Sequence, residues 1–166
     1  DTDKVAIMGF SAGGHLAAHY TNAYCWPEVR EMFPESKPVN ASMLCYPVIT
    51  ADPRYAHLGS FKRLLGKEEL TQEETIRFSC DHMVSEQTPP TFLWHTRPDT
   101  CVPVMNTLLY AQALAKHGVP FAVHIYPQGG HGLATVDQVT NGNLDAGILH
   151  AGDWFDTAIK WLSFTL

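Results

Sequence analysis

Short apolar runs recur along the chain, separated by longer segments with helical periodicity. Four of these runs have the length and composition of buried strands, namely 5–8, 41–46, 91–95 and 121–126. Strands that alternate with helices are typical of a parallel sheet with helices on its faces. The pattern therefore predicts an α/β fold with about four parallel strands flanked by helices.

Three main helices are predicted between and after these strands. Side chains at helical spacing define their faces: Leu16, Tyr20 and Tyr24 in the first, Val104, Leu108, Ala111 and Ala115 in the second, and Trp154, Ala158, Trp161 and Leu162 in the third. We expect Asp153 to be the N-cap of the last helix and 141–147 to form a loop.

The segment from about 51 to 90 interrupts this alternation. It contains a short helical pattern over 60–65, ended by Gly66, and a capping box from Thr71 to Glu74 that opens another helix. Because the segment joins two predicted core strands, we expect it to form a lid or a substrate wall at one edge of the sheet. Residues 1–166 then form a single domain with a lid-like insertion.

The turn after the first strand has the sequence Gly9-Phe10-Ser11-Ala12-Gly13, a G-x-S-x-G motif between a strand and a helix. In this context a serine stands on a sharp turn as a nucleophile, and we expect Gly9 and Gly13 to let the strand and the helix approach closely. The N–H of Ala12, at the helix N-terminus, is a natural donor to an oxyanion. The motif predicts Ser11 as nucleophile and Ala12 as oxyanion donor.

A nucleophilic serine of this kind needs a histidine and an acid. Asp99 follows the third predicted strand, and His131 lies in a glycine-rich loop after the fourth. Since the carboxyl ends of parallel strands lie at one edge of the sheet, we expect Ser11, Asp99 and His131 to meet there. Their chain order is the Ser-Asp-His order of α/β-hydrolases.

Other residues compete for two of these roles. Asp52, after the second predicted strand, is the more serious rival acid, and Asp137 is another. His124 and His150 compete less well with His131, because one lies within a strand and the other begins a helical region.

Composition narrows the classes of function. The 166 residues are 45% hydrophobic and 17% charged, with a net charge of −6, as in ordinary globular proteins. Without a basic run or a long apolar run, neither nucleic acid nor a membrane is an expected partner. The four cysteines have no C-x-x-C spacing, which favours free, mostly buried thiols and a cytoplasmic protein over the alternative of a disulfide pair.

No metal or cofactor is expected. His15 and His19 lie four residues apart on a predicted helix, but they have no acidic partner nearby and are interpreted as half-buried helix histidines. His57 and His82 are interpreted as polar loop residues.

Several motifs together resemble α/β-hydrolases of the esterase/lipase class, closest to the acetyl-xylan-esterase-like (carbohydrate esterase) branch. The matching segments are 9–14, 46–49, 89–92, His95-Thr96 with Asp99 and Val102-Pro103, and 129–133. The resemblance implies a three-layer fold, a catalytic triad of Ser11, Asp99 and His131, and preference for Asp99 over Asp52. It spans almost the whole chain.

The resemblance also implies that these residues form the C-terminal portion of the fold. The family has additional strands and a loop with further oxyanion donors before the serine turn, and the abrupt start at Asp1 indicates that preceding sequence is absent. We therefore expect the strand at 5–8 to be an open edge. The isolated chain is expected to be poorly active, because each missing oxyanion donor costs about 2.7–4 kcal/mol.

The leading hypothesis is a serine hydrolase of short-chain carboxylic esters acting through an acyl-enzyme, with acetyl groups on sugars or xylan implied by the resemblance. Alternatives are a serine peptidase or amidase of the same fold, or a catalytically incompetent fragment or binding domain. A metal-dependent deacetylase is disfavoured, because the histidines form no coherent ligand set. The expected partner is a small-molecule or carbohydrate ester, and a homo-oligomer is left open.

Overall fold

Four parallel strands form one sheet in the computed structural model, which describes residues 3–166. They are paired in sequence order as β1 (Ala6–Phe10), β2 (Ala41–Cys45), β3 (Thr91–Thr96) and β4 (Phe121–Tyr126). All four predicted runs therefore form strands. β1 is an edge strand, as expected, and Val5 and Met8 beside and within it are 41% and 45% exposed.

Helices lie in the connections between the strands and after the last strand. In the described residues they are α1 (Ala12–Ala23), α2 (Pro27–Met32), α3 (Leu58–Leu65), α4 (Gln72–Arg77), α5 (Met105–Lys116), α6 (Gln138–Asn141), α7 (Ala146–Leu149) and α8 (Asp153–Thr165). Short 3-10 turns lie at Cys80–His82 and His150–Gly152. Within residues 3–166, no helix has the length and hydropathy that crossing a bilayer requires.

The helix α8 covers one face of the sheet. Its Trp154 stacks on Trp94 of β3 with ring centroids 5.0 Å apart, and both side chains are fully buried. Ala158 and Trp161 continue this buried face, as predicted. Asp153 lies in the first turn, and the N-cap is Gly152 rather than Asp153. Burial of each large apolar side chain contributes about 1.5–3 kcal/mol to the stability of the fold. This packing holds α8 on the sheet, and α8 in turn fixes the end of the loop that precedes it.

The helices α1 and α5 cover the opposite face, which completes three layers. The predicted face of α1 is wrong, since Leu16 is 70% exposed while Ala17 and Ala18 are buried. A helix that begins directly at a sharp turn lies close to the sheet, and only small side chains fit between them.

The predicted face of α5 is also wrong, by about one residue. Leu108 is 41% exposed, whereas Thr107, Tyr110 and Leu114 are buried. Tyr110 accepts a hydrogen bond from Asn22 at 2.9 Å, and the Thr107 hydroxyl lies 2.8 Å from the ring of His95. Polar side chains with such partners can be buried, which a pattern of apolar residues does not reveal.

The 51–90 segment is anchored by Phe61 of α3. Phe61 is 1% exposed and packs with Val48, Ala51 and Val102. The predicted capping box at Thr71 is present, and Gly66 ends α3 in the left-handed conformation. The predicted loop at 141–147 lies between the short helices α6 and α7 and overlaps the ends of both.

Candidate active site

Ser11 stands at a strained turn between β1 and α1. Its backbone has φ 54° and ψ −120°, a conformation that costs a non-glycine residue about 1–3 kcal/mol. Two hydrogen bonds to the last residue of β2 and to the segment after it hold this backbone: Ser11 N donates to Cys45 O, and Val48 N donates to Ser11 O, each at 3.0 Å. The sheet therefore fixes the backbone that presents the hydroxyl.

The glycines of the turn do not contribute equally. A Cβ on Gly9 would clash with the backbone carbonyl of Gly13, and a Cβ on Gly14 would lie 2.6 Å from the side chain of Pro47. A Cβ on Gly13 would meet no atom within 4 Å. The expectation that Gly13 makes room for the turn is therefore wrong, and Gly14 has that role together with Gly9.

The side chains of Ser11, His131 and Asp99 form a continuous hydrogen-bonded chain. Ser11 Oγ lies 2.7 Å from His131 Nε2, and His131 Nδ1 lies 2.7 Å from Asp99 Oδ2. They follow β1, β4 and β3 respectively, so the carboxyl end of the sheet brings them together as expected. The His131 side chain is 20% exposed and that of Asp99 is fully buried.

Both oxygens of Asp99 accept hydrogen bonds. Oδ1 accepts the backbone N–H groups of Cys101 and Val102, each at 2.9 Å. Oδ2 accepts from His131 and lies 3.2 Å from Nε2 of His95. Burial alone would raise the pKa of Asp99, but the hydrogen bonds from His131, His95 and Val102 outweigh it and hold that pKa well below its ordinary value.

The charge of Asp99 determines the tautomer of His131. An ionised carboxylate can only accept hydrogen bonds, so Nδ1 of His131 carries the proton that lies toward Asp99. In the neutral ring, Nε2 is then an acceptor aimed at the Ser11 hydroxyl. The geometry can therefore move a proton from Ser11 Oγ to His131 Nε2.

Ala12 is the first residue of α1. As such its N–H has no acceptor within the helix, and the helix dipole places partial positive charge at this end. The position next to Ser11 suits an N–H donor to an oxyanion.

Two aromatic residues hold the loop that carries His131. The Tyr46 hydroxyl accepts the N–H of Ala134 at 3.0 Å, and Trp154 Nε1 donates to Ala134 O at 3.0 Å. The Tyr46 ring also contacts the His131 ring edge-on, with centroids 5.0 Å apart. The sequence did not predict a part in the site for Tyr46 or His95, although both lie in segments that resemble the hydrolase family and His95 is a histidine inside an otherwise apolar strand.

The rival residues lie outside this arrangement. Asp52 forms an ion pair with Arg54, and Asp137 caps α6 by accepting from Thr140 N at 2.8 Å. His124 stacks on Phe92, and His150 lies 3.1 Å from Asp153.

His15 and His19 both contact Phe78, and these contacts are structural. His15 Nε2 donates to the Phe78 carbonyl at 2.9 Å, and His19 stacks on the Phe78 ring. Burial, with the nearby charges of His15 and Arg77, lowers the pKa of His19 to about 4. In residues 3–166, no group of three or more His, Cys, Asp or Glu side chains is arranged to hold a metal ion.

The remaining residues considered from the sequence are His57, His82 and the four cysteines. His57 lies 2.8 Å from the Ser60 hydroxyl, and His82 Nε2 lies 3.6 Å from Asp81 Oδ2. The four cysteines are free, with Cys45 and Cys80 buried and Cys25 and Cys101 exposed.

A cavity of about 520 Å³ lies beside Ala12. The 51–90 segment forms one wall through Phe61, Leu64 and Phe78, and Leu16 of α1 lines another part. The segment thus borders the start of α1. Its role as a lid stays a prediction.

Comparisons with known proteins agree with this fold. The chain is 40% identical over 145 residues to endo-1,4-β-xylanase B of Butyrivibrio fibrisolvens, covering 82% of this chain and 22% of that protein. It is 37% identical over 134 residues to the acetylxylan esterase of Xylanibacter ruminicola, covering 79% of this chain and 26% of that protein.

A solved structure with a similar fold is that of the acetyl ester-xyloside bifunctional hydrolase from Caldicellulosiruptor lactoaceticus. The TM-score is 0.81 at 39% sequence identity, and the match covers 98% of this chain and 57% of that chain. Of the two curated relatives, the xylanase and the acetylxylan esterase, the chain covers 22% and 26%, so it spans about a quarter of their length.

The model of the prolyl oligopeptidase family matches residues 1–159, which is nearly the whole chain. The serine turn, the parallel sheet and the extent of this match lead to one conclusion: the chain is an α/β-hydrolase that belongs to the prolyl oligopeptidase family.

Proposed function

We propose that this chain carries the catalytic triad of a serine carboxylesterase that removes acetyl groups from xylan or xylan-derived sugars. The observation that carries the proposal is the hydrogen-bonded series Ser11–His131–Asp99, with 2.7 Å at each step. Two similar proteins, an acetylxylan esterase and an acetyl ester-xyloside hydrolase, support the acetyl and xylan parts of the proposal.

In the first half of the proposed reaction, Ser11 Oγ attacks the acetyl carbonyl carbon while His131 Nε2 takes the hydroxyl proton. Asp99 stabilises the imidazolium that forms, and the Ala12 N–H donates to the oxyanion of the tetrahedral intermediate. The intermediate collapses as the ester C–O bond breaks. His131 gives its proton to the leaving sugar oxygen, and the acetyl group remains on Ser11.

The second half returns the enzyme to its starting state. His131 Nε2 takes a proton from a water molecule, whose oxygen attacks the acetyl carbonyl carbon on Ser11. Collapse of the second tetrahedral intermediate breaks the bond to Ser11 Oγ, which recovers its proton from His131. The product leaves as acetic acid, which keeps the second proton of the water and then ionises in solvent to acetate and a proton.

The direct test is turnover by the full-length protein. Acetate release from acetylated xylan is expected for the wild type, and Ser11→Ala should lower kcat by about 10⁴-fold or more. A Ser11→Ala protein that keeps its fold by circular dichroism and also keeps wild-type turnover would contradict the proposal.

A serine peptidase or amidase is the second candidate, because the family to which the chain belongs is that of prolyl oligopeptidases. The same triad chemistry serves esters and amides. Hydrolysis of 4-nitrophenyl acetate without cleavage of dipeptide amides favours the esterase; preferential amide cleavage favours the peptidase.

A further inference from the structure

His95 contacts the same oxygen of Asp99 as His131 does, from inside the protein. Its side chain is fully buried on β3, and Nε2 lies 3.2 Å from Asp99 Oδ2 and 2.9 Å from Val102 O. Both of these neighbours are acceptors, so Nε2 carries a proton that they share. The opposite ring nitrogen, Nδ1, lies 2.8 Å from the Thr107 hydroxyl on α5.

These contacts close a ring around the carboxylate. Val102 donates its N–H to Asp99 Oδ1 at 2.9 Å, and its carbonyl accepts from His95. His95 in turn faces Asp99 Oδ2. A rotation of the Asp99 carboxylate about χ2 would break hydrogen bonds on both oxygens at once.

We propose that His95 is a positioning residue that fixes the Asp99 carboxylate so that Oδ2 faces Nδ1 of His131. This inference rests on the proposed function of Ser11, Asp99 and His131. His95 does not contact Ser11 or the reacting atoms in this arrangement; it acts through Asp99, which holds His131 in the tautomer that accepts the Ser11 proton.

The role is distinct from simple filling of the core. Nε2 of His95 is a second neighbour of Oδ2 beside His131, and the side chains of His95 and Asp99 are both fully buried. Without that donor, Oδ2 has one fewer partner to hold its direction, while the two backbone donors to Oδ1 remain. Fewer hydrogen bonds then resist rotation of the Asp99 carboxylate about χ2, and such a rotation turns Oδ2 away from Nδ1 of His131.

Two substitutions separate the donor from the packing. The amide nitrogen of His95→Gln can occupy nearly the place of Nε2 and keep a donor toward Asp99. The shorter side chain of His95→Asn reaches only the place of Nδ1, so it keeps a contact with Thr107 but loses the donor to Asp99.

In the full-length protein, His95→Asn should lower kcat for 4-nitrophenyl acetate about 10- to 100-fold, as expected for a lost hydrogen bond to a charged group. KM should change less than about twofold, because the loss lies in the chemical step. His95→Gln should recover most of kcat at a similar melting temperature. Equal kcat values for the two variants would overturn the proposal.

A second readout does not require turnover. The proton between His131 Nδ1 and Asp99 should give a downfield ¹H NMR signal in wild type and His95→Gln, and the signal should be lost or shifted upfield in His95→Asn. An unchanged signal in His95→Asn overturns the positioning role. Absence of ester turnover in the wild type, with the signal differences present, would instead contradict the proposed function alone.

Thr107→Val provides a test if both His95 variants fail to fold. It removes the hydroxyl at Nδ1 of His95 while keeping a β-branched side chain. We expect kcat to fall at least about threefold, as for a lost neutral hydrogen bond, together with a shift of the same NMR signal. Wild-type kcat and an unshifted signal in Thr107→Val would overturn the proposal.

Discussion

Asp52 follows β2 and Asp99 follows β3, so the two carboxylates leave the same edge of the sheet. Hydrogen bonds from Arg54 lower the pKa of Asp52 to about 2, and the pKa of Asp99 is also lowered. The surroundings differ: the Asp52 side chain is 28% exposed beside a guanidinium, and that of Asp99 is fully buried.

A lowered carboxyl pKa therefore has two different physical causes at Asp52 and Asp99. At Asp52 the partners are the exposed guanidinium and the backbone N–H of Arg54, and exposed ion pairs of this kind contribute little to stability. At Asp99 the partners are two imidazoles and two backbone N–H groups that fix the direction of each oxygen. A strand-end aspartate can orient a histidine only in the second kind of surroundings.

The largest expected effect comes from Asp99→Asn, compared with Asp52→Asn. The amide group introduced by Asp99→Asn would donate to His131 Nδ1 and favour the wrong tautomer, so kcat of the full-length protein should fall about 10⁴-fold. Asp52→Asn should change kcat less than about twofold, because it removes only a surface pair. Steady-state hydrolysis of 4-nitrophenyl acetate measures both, and similar losses in the two variants would remove the distinction.

The next largest effect is expected when Gly9 and Gly13 of the serine turn are each replaced by alanine. Gly9→Ala places a methyl group against the Gly13 carbonyl and should lower the free energy of unfolding by about 1–3 kcal/mol. Gly13→Ala enters open space on α1 and should leave it unchanged or raise it by up to about 1 kcal/mol. Urea denaturation of both variants checks this; a greater loss in Gly13→Ala would contradict the close approach of Gly9.

Acid titration should distinguish the buried carboxylate of Asp99 from the partly exposed carboxylate of Asp52. The folded pKa of Asp99 lies below its unfolded value of about 3.9, so ionised Asp99 stabilises the fold above that pH and this contribution is lost as pH falls below it. The unfolding free energies of wild type and Asp99→Asn should therefore converge on acidification, from a difference of about 1–3 kcal/mol at neutral pH.

Urea denaturation at a series of pH values measures this convergence, with Asp52→Asn as the control. The solvent-screened pair of Asp52 should give a smaller difference at every pH. A gap between wild type and Asp99→Asn that stays constant down to about pH 3 would contradict the assigned charge state.

The smallest expected effect is that of Tyr46→Phe. The ring contact with His131 is kept, but the hydroxyl that accepts the Ala134 N–H is lost. We expect the free energy of unfolding to fall by about 1 kcal/mol and kcat to fall severalfold. Differential scanning calorimetry and ester turnover test this, and a wild-type melting temperature would show that the hydroxyl does not hold the loop.

Much of the fold was predictable because the strands are short apolar runs that end at turn residues, as at 91–96. The helix faces were harder, since Thr107 and Tyr110 of α5 are polar side chains that are buried through specific partners. Those partners come from distant parts of the chain, so no local periodicity indicates them.

In the candidate active site, too, some features were predictable from the sequence and others were not. The serine motif and the chain order placed Ser11, Asp99 and His131 at one edge of the sheet from the sequence alone. The parts played by His95 and Tyr46 depend on contacts across 4 and 88 residues of separation to Asp99 and Ala134, which only the folded chain brings together. Likewise, Gly13 belongs to the motif and Gly14 follows it, yet only the fold shows that Gly14 lies against Pro47 and that Gly13 lies beside open space.

The most direct test of the central claim is covalent labelling of the full-length protein with a fluorophosphonate, followed by peptide mass spectrometry. We predict stoichiometric labelling of Ser11, no labelling in Ser11→Ala, and strongly slowed labelling in Asp99→Asn but not in Asp52→Asn. An unlabelled Ser11 in the folded wild-type protein, or equal labelling rates in Asp99→Asn and wild type, would contradict the assignment of Ser11, His131 and Asp99 as a catalytic unit.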